Sequence, residues 1–484
     1  MTYRIKNIEL YVRETPPGRM AFAIGKQSAK GPQQRLTSPL GHVRLELEND
    51  RGDTTFGCAG DRLSVRWLDK RPGRERGLKL RELVDLIEFA RETYLQSPQF
   101  ETPFAQWQPC HKTIMREGRR RNQEDLTAAF ASALFERALL DGAARLEGRS
   151  LFEMIHADRL GIRPAQVHPE LHDLPLPKIL PPAPATEFYI RHTVGLADPL
   201  TADDLPEKDR VNDGLPETLA EYIQTDGVVH FKVKISGQPD HDLGRLERLW
   251  DLIPKTEETV ITLDANEAYT DMGRFRDFVE NLETQSPGCF QHISYIEQPL
   301  LRSFKVTPAD AKILREIGES KPVIIDEADG TLHSFKDAHA NGYSGTSHKN
   351  CKGFFKSLMN YALIAHYGLE GESNYLSGED LQNLPVVPLH QDFVSASILG
   401  LNDCERNGHH YNYGLSLLSD QDKTNVTKHH RDLYVKRGEE WFLNIVDGKV
   451  RCASLQCPGY GVNDEPDWAS MTNMRQWLQT RFPA

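Results

Sequence analysis

Between Lys232 and Lys352, five short apolar segments each end in one or two ionisable residues. They read HFKVKIS, VITLDAN, ISYIEQP, PVIIDEA and TSHKNCK, and they carry Lys232 and Lys234, Asp264, Glu297, Asp326 and Glu327, and Lys349 and Lys352. From Lys234 through Asp264, Glu297 and Asp326 to Lys349 the steps are 30, 33, 29 and 23 residues. Such a step has the length of one strand, one helix and two loops. Val- and Ile-rich segments alternating with helical stretches require a parallel sheet covered by helices. Chemistry at a fixed phase of that repeat selects a closed barrel, whose strand C-termini share one mouth, over an open sheet, which spreads them along an edge. No GxGxxG follows an early strand, which weakens a dinucleotide fold.

The 484 residues suffice for a large barrel and a second domain. Tyr3 to Val12, His42 to Glu48 and Thr54 to Cys58 read as strands, the last two an antiparallel pair across an NDRG turn. The connection from Arg13 to Gln34 is long for a loop without structure, which marks it as mobile or functional. Leu78 to Gln96 and Leu126 to Leu146 carry apolar residues at helical spacing. Residues 1–185 are therefore expected to form an α+β domain ending in a linker at about 169–185, where PELHDLPLPKILPPAPAT has too many prolines for a helix or central strand. Residues 186–460 are expected to form the barrel and 461–484 a segment that returns to the first domain.

The net charge of −12 argues against nucleic acid or an anionic membrane as partner. The basic run Arg116 to Arg121 reads as a solvated helix face. No apolar run approaches the ~18 residues of a membrane span, and the N-terminus lacks signal-peptide zones, so a cytoplasmic enzyme is expected. Seven scattered cysteines without a CxxC pair suggest reduced structural thiols.

Asp264, Glu297 and Asp326 place carboxylates on three successive strands. Oxygen-only ligands suit a hard ion such as Mg²⁺, with Mn²⁺ as an alternative. Asn266, two residues past Asp264, would point to the same side by strand periodicity and contact substrate. Glu327 and Gln298 would support the ligands from behind. Lys232 and Lys234 share a strand face, so each ammonium and the cation would disfavour protonation of the other, leaving Lys234 as a base. Lys349 would face the site from the opposite side, with Lys352 or His348 as alternatives at that position. Lys352 and Glu379 are further candidate substrate contacts. His409 and His410 read as packed histidines before catalysts.

The series KVK, LDAN, IEQP, IDE and KxxK resembles the enolase superfamily, in particular its muconate-lactonising and dipeptide-epimerase-like branch. The resemblance implies a modified TIM-type (β/α)7β barrel under an N-terminal α+β capping domain. It implies Mg²⁺ on Asp264, Glu297 and Asp326, and acid/base lysines at Lys234 and Lys349. Two cap loops, near Arg19 to Lys26 and Gly60 to Trp67, would close over the mouth. The chain departs from the family in carrying KGFFKS, with Gly353 alone where a glycine pair is usual, and in extra sequence around Phe104 to Pro184. The implied reaction is abstraction of the proton α to a carboxylate, giving an enediolate that Mg²⁺ and lysines stabilise. Racemisation or epimerisation is the first expectation; a lyase, acid-sugar dehydratase or cycloisomerase uses the same intermediate. A Schiff-base aldolase and a catalytically silent binding barrel are the alternatives from other classes. The family habit implies a homo-oligomer, dimer or octamer, acting on a small carboxylate substrate.

Overall fold

The computed structural model describes residues 2–20 and 39–482. Lys26 lies outside the described residues. Strands Tyr3–Arg13, Leu40–Asn49 and Thr54–Arg62 form an antiparallel sheet. Alternate residues such as Ile8, Leu10 and Val12, or Val43, Leu45 and Leu47, are buried, the period of a sheet with a covered face. The end of the chain joins this sheet: Thr472–Asn473 pairs with Tyr11 and Val12, and helix Met474–Arg481 follows.

Three helices, Arg76–Gln96, Pro103–Arg120 and Asp125–Leu146, pack with the sheet. The second, which periodicity did not single out, starts at the Thr102 cap with Pro103 at its first position and carries Pro109 inside. The basic run closes this helix, where Arg119 and Arg120 pair at the surface with Asp125 and Glu117. The third helix is buried from Leu126 to Ala144. It reaches the sheet at Gly57, where a Cβ would lie 2.1 Å from the Ala138 carbonyl, so only glycine permits the approach. The proline-rich linker is more ordered than its composition predicts: Pro169–Leu171 makes a 3₁₀ turn and Leu176–Ile179 a helical turn. Pro177 sits in the first turn, where no helical N–H bond is lost.

Eight parallel strands follow: Glu187–Val194, His230–Lys234, Val260–Asp264, Ile293–Glu297, Val323–Ile325, Gly345–His348, Tyr375–Gly378 and Asp403–Arg406. They pair in sequence order, and the eighth pairs with the first. The sheet curls into a barrel, with no ladder between the seventh and eighth strands among the described residues. Arg191 bridges that seam, donating to the Gly378 carbonyl at 2.6 Å and to Asp403 at 2.8 Å. A helix lies in each of the seven intervals between strands, the (β/α)7β arrangement. One of them, Pro308–Ser320, begins with a Thr307–Asp310 capping box and Pro308. A single apolar core runs from the cap helices through Phe188 and Ile190 of the first strand to the helices after the sixth and seventh strands, while the second to fifth strands have their own core. The cap thus sits on the second half of the barrel. All seven cysteines are buried and free. No described helix is long and apolar enough to cross a membrane.

Candidate active site

Lys234, Asp264 and Glu297 are direct cross-strand neighbours at the C-terminal ends of the second, third and fourth strands. Asp326 and Lys349 come immediately after the fifth and sixth strands. All five are buried, as is Lys232. The parallel register brings them to one mouth, as the spacing predicts.

Their contacts are mostly with one another. Lys234 donates to Asp264 Oδ2, and Lys349 donates to Asp326 Oδ2. Lys352 approaches the other Asp326 oxygen at 3.2 Å and Ser347 Oγ at 2.7 Å. Lys232 Nζ lies 3.1 Å from Asp264, 2.7 Å from Glu297 and 3.0 Å from Glu405, and also contacts Glu379. The sequence expectation for the lysine pair is therefore corrected: carboxylates, not each other, are the nearest charges to both. His348 turns away from the mouth to Ser357, so Lys349 holds the sixth-strand position.

Gln298 braces the fifth strand end, its side-chain oxygen accepting from the Asp326 and Ala328 amides at 2.8 and 3.0 Å. The strand-periodicity argument for Asn266 fails, because the third strand stops at Asp264 and Asn266 takes a left-handed φ of 43°. Its amide N–H donates to Asp264 Oδ1 at 2.8 Å and its side chain to Glu327 at 3.0 Å. Asn266 thus links Asp264 to Glu327.

The electrostatics divide the carboxylates. Burial pushes the Glu297 carboxyl well above the usual range, and the negative charges of Asp264, Glu379 and Asp326 outweigh the help of Lys232. Burial acts the same way on Asp326, but Lys349 and Lys352 hold it well below the usual range. Glu327 is pushed up to about 7 by burial and by Asp326, Glu267 and Asp264. Burial disfavours the Lys232 and Lys349 ammonium groups, yet the carboxylates around them raise both above the ordinary lysine value.

These residues fit a hard divalent cation in donor chemistry. Neither Glu297 oxygen accepts a hydrogen bond from a described residue, and the cation beside it, the Lys232 ammonium at 2.7 Å, is shared with three other carboxylates. Among the described residues, however, no three acidic, histidine or cysteine side chains already converge as a coordination sphere. Lys232 lies between Asp264 and Glu297, and lysines occupy Asp326.

On the opposite wall, sequence reasoning missed Arg191, Tyr295 and Thr193, the groups that hold Glu379 and Glu405. Glu379 Oε1 accepts from Arg191 at 2.5 Å and from Tyr295 at 2.8 Å. Glu405 accepts from Thr193 at 2.8 Å and from the Asp380 amide at 3.0 Å. Arg191, a lone charge inside the apolar strand FYIRHTV, was the available signal.

The cap meets the mouth at two points. The Trp67 ring lies 4.4 Å from Lys349 Nζ, and its carbonyl accepts from Arg302, which also pairs with Glu124 and Glu267. Glu136 accepts from the Phe355 amide at 2.6 Å, beside Gly353, whose φ is 104°. Arg19 is not free for substrate: it forms a two-pronged pair with Asp213 at 2.6 and 2.7 Å. His409 bonds His192 at 3.2 Å, against Tyr222 and His410 and away from the lysine cluster. Burial pushes His409 down to about 3, so it stays neutral.

No family model and no curated protein matches the sequence. Solved structures do match in fold. A mandelate racemase/muconate lactonizing enzyme from Bordetella bronchiseptica RB50 is 16% identical with a TM-score of 0.58, over 96% of this chain and 98% of the other. An isomerase from Streptomyces coelicolor A3(2) is 13% identical with a TM-score of 0.58, over 99% and 100%. A dipeptide epimerase from Enterococcus faecalis V583, in complex with Mg and L-Leu-L-Tyr, is 12% identical with a TM-score of 0.57, over 95% and 100%. These likenesses show the fold, a TIM-type barrel with an N-terminal cap.

Proposed function

We propose that this protein is a metal-dependent enzyme that removes the proton α to a substrate carboxylate, with racemase or epimerase chemistry as the outcome. The observation that carries the reading is the buried Glu297 carboxyl, which accepts no hydrogen bond and has only the shared Lys232 ammonium beside it, with one lysine, Lys234, on Asp264 and another, Lys349, on Asp326. A Mg²⁺ held by Asp264, Glu297 and Asp326 would supply positive charge beside the substrate carboxylate, where the enediolate develops. Lys234 takes the proton from one face and Lys349 returns one to the other, and the two exchange roles for the opposite epimer. Trp67 excludes water above Lys349. Asn266, Gln298 and Glu327 hold the ligand backbone in place. Glu379 and Lys352, sequence candidates for substrate contact, are engaged by protein groups and serve the frame of the mouth.

Dehydration and cycloisomerisation share the first proton abstraction and differ only in what leaves or closes afterwards. A Schiff-base aldolase would instead use a barrel lysine such as Lys234 to form an imine with a carbonyl substrate. The test is a screen of dipeptides, N-acyl amino acids and acid sugars for α-proton exchange in D₂O, with and without EDTA and added Mg²⁺. Exchange that EDTA stops and Mg²⁺ restores is expected. Turnover of a carbonyl substrate that EDTA leaves intact and borohydride traps would replace this reading.

A further inference from the structure

Lys232 touches both walls of the mouth. Its ammonium has Asp264 and Glu297 on one side and Glu379 and Glu405 on the other. The second pair is fixed: Arg191 and Tyr295 hold Glu379, while Thr193 and the Asp380 amide hold Glu405. Neither can swing across to join the first pair without leaving its own donors. The first pair is free to change partners, since neither Glu297 oxygen accepts a hydrogen bond and Asp264 Oδ2 is shared by two lysines.

We propose that Lys232 is a built-in counter-cation that competes with the divalent ion for Asp264 and Glu297, and that Glu379 and Glu405 tune metal affinity by drawing its ammonium away. This rests on the metal reading given above. Two like charges cannot sit on the same two carboxylates in a low-dielectric interior without a cost, and the fixed acids on the far wall reduce it. Without the ion, Lys232 balances the buried charge and keeps the mouth assembled. With the ion, the ammonium leans onto Glu379 and Glu405. Lys232 is thus a positioning residue, and the seventh and eighth strand ends reach the reaction through it.

The test is a calorimetric Mg²⁺ titration of the full chain, repeated with Mn²⁺ by electron paramagnetic resonance. Lys232→Met is expected to tighten metal binding by about tenfold or more, while Glu379→Gln and Glu405→Gln weaken it by a comparable factor. Lys232→Arg, which keeps the charge, stays within about twofold of wild type. General structural damage would weaken binding in every variant, so the opposite signs are the signature. Lys232→Gln replaces Lys232→Met if the latter does not fold. Tight wild-type binding that Lys232→Met or Lys232→Gln leaves unchanged or weakens overturns the counter-cation and leaves the metal site standing. Binding by neither wild type nor Lys232→Met removes the metal site itself, and the counter-cation with it.

Discussion

The buried carboxylates at the strand ends fall into two groups that differ in who satisfies them. Glu379 and Glu405 receive an arginine, a tyrosine, a threonine and a backbone amide, all fixed by the barrel seam. Asp264 and Asp326 each give one oxygen to the Asn266 amide or Ser347 Oγ and the other to the tip of a long lysine side chain, and Glu297 accepts no hydrogen bond. Both groups are equally buried. Saturation by rigid donors marks a group that holds the fold, whereas an unmet or exchangeable demand marks a group waiting for a ligand.

That contrast can be broken by mutation. Lys234→Ala should slow α-proton exchange by about 10²- to 10⁴-fold with a native circular-dichroism spectrum. An equal loss in Glu379→Ala, with no loss of stability, would erase the distinction between the walls. Glu379→Ala should instead destabilise by about 3–5 kcal/mol, because it removes a buried carboxylate shared by Arg191, Tyr295 and Lys232. In metal-free protein Glu297→Gln should leave the thermal midpoint unchanged or higher, since it removes a buried acid that lacks a donor.

A smaller effect tests the seat of the cap. Burial pushes the Glu136 carboxyl from 4.5 up to about 7, although the Phe355 amide opposes it. Because the folded value is raised, the native state binds the proton more tightly, and stability falls as pH rises from about 4.5 to about 7. Relative to Glu136→Gln, wild type should lose up to about 3 kcal/mol across that window. Calorimetric unfolding of both proteins at pH 4.5 and 8 measures it, and parallel profiles would contradict it. The smallest change is expected for Trp67→Leu, which removes the ring beside Lys349 and should cost about 1 kcal/mol in stability, read as a lowered thermal midpoint.

The wall proposed as reactive was legible in sequence because its groups lie at strand ends, so one repeat length places them all at one level. At the sixth strand the sequence left Lys349, Lys352 and His348 as alternatives; Lys349 and Lys352 both reach Asp326, while His348 bonds Ser357. The structural wall was not legible. Arg191 and Glu379 are separated by 188 positions, and only barrel closure brings them together. Asn266 was misplaced because strand periodicity was extended past the end of the strand into a left-handed turn. Helix Pro103–Arg120 escaped because Pro109 interrupts its pattern. The cap sheet and the helices Arg76–Gln96 and Asp125–Leu146 were readable from alternation and helical spacing, to within a few residues at each end.

The most direct test of the two-lysine mouth is stereochemical. With an active substrate from the screen, both α-epimers are incubated in D₂O with wild type, Lys234→Ala and Lys349→Ala, and deuterium incorporation is followed by proton NMR. Wild type should exchange both epimers. Lys234→Ala should lose exchange from one and Lys349→Ala from the other. Retention of wild-type exchange from both epimers in either variant would contradict the account.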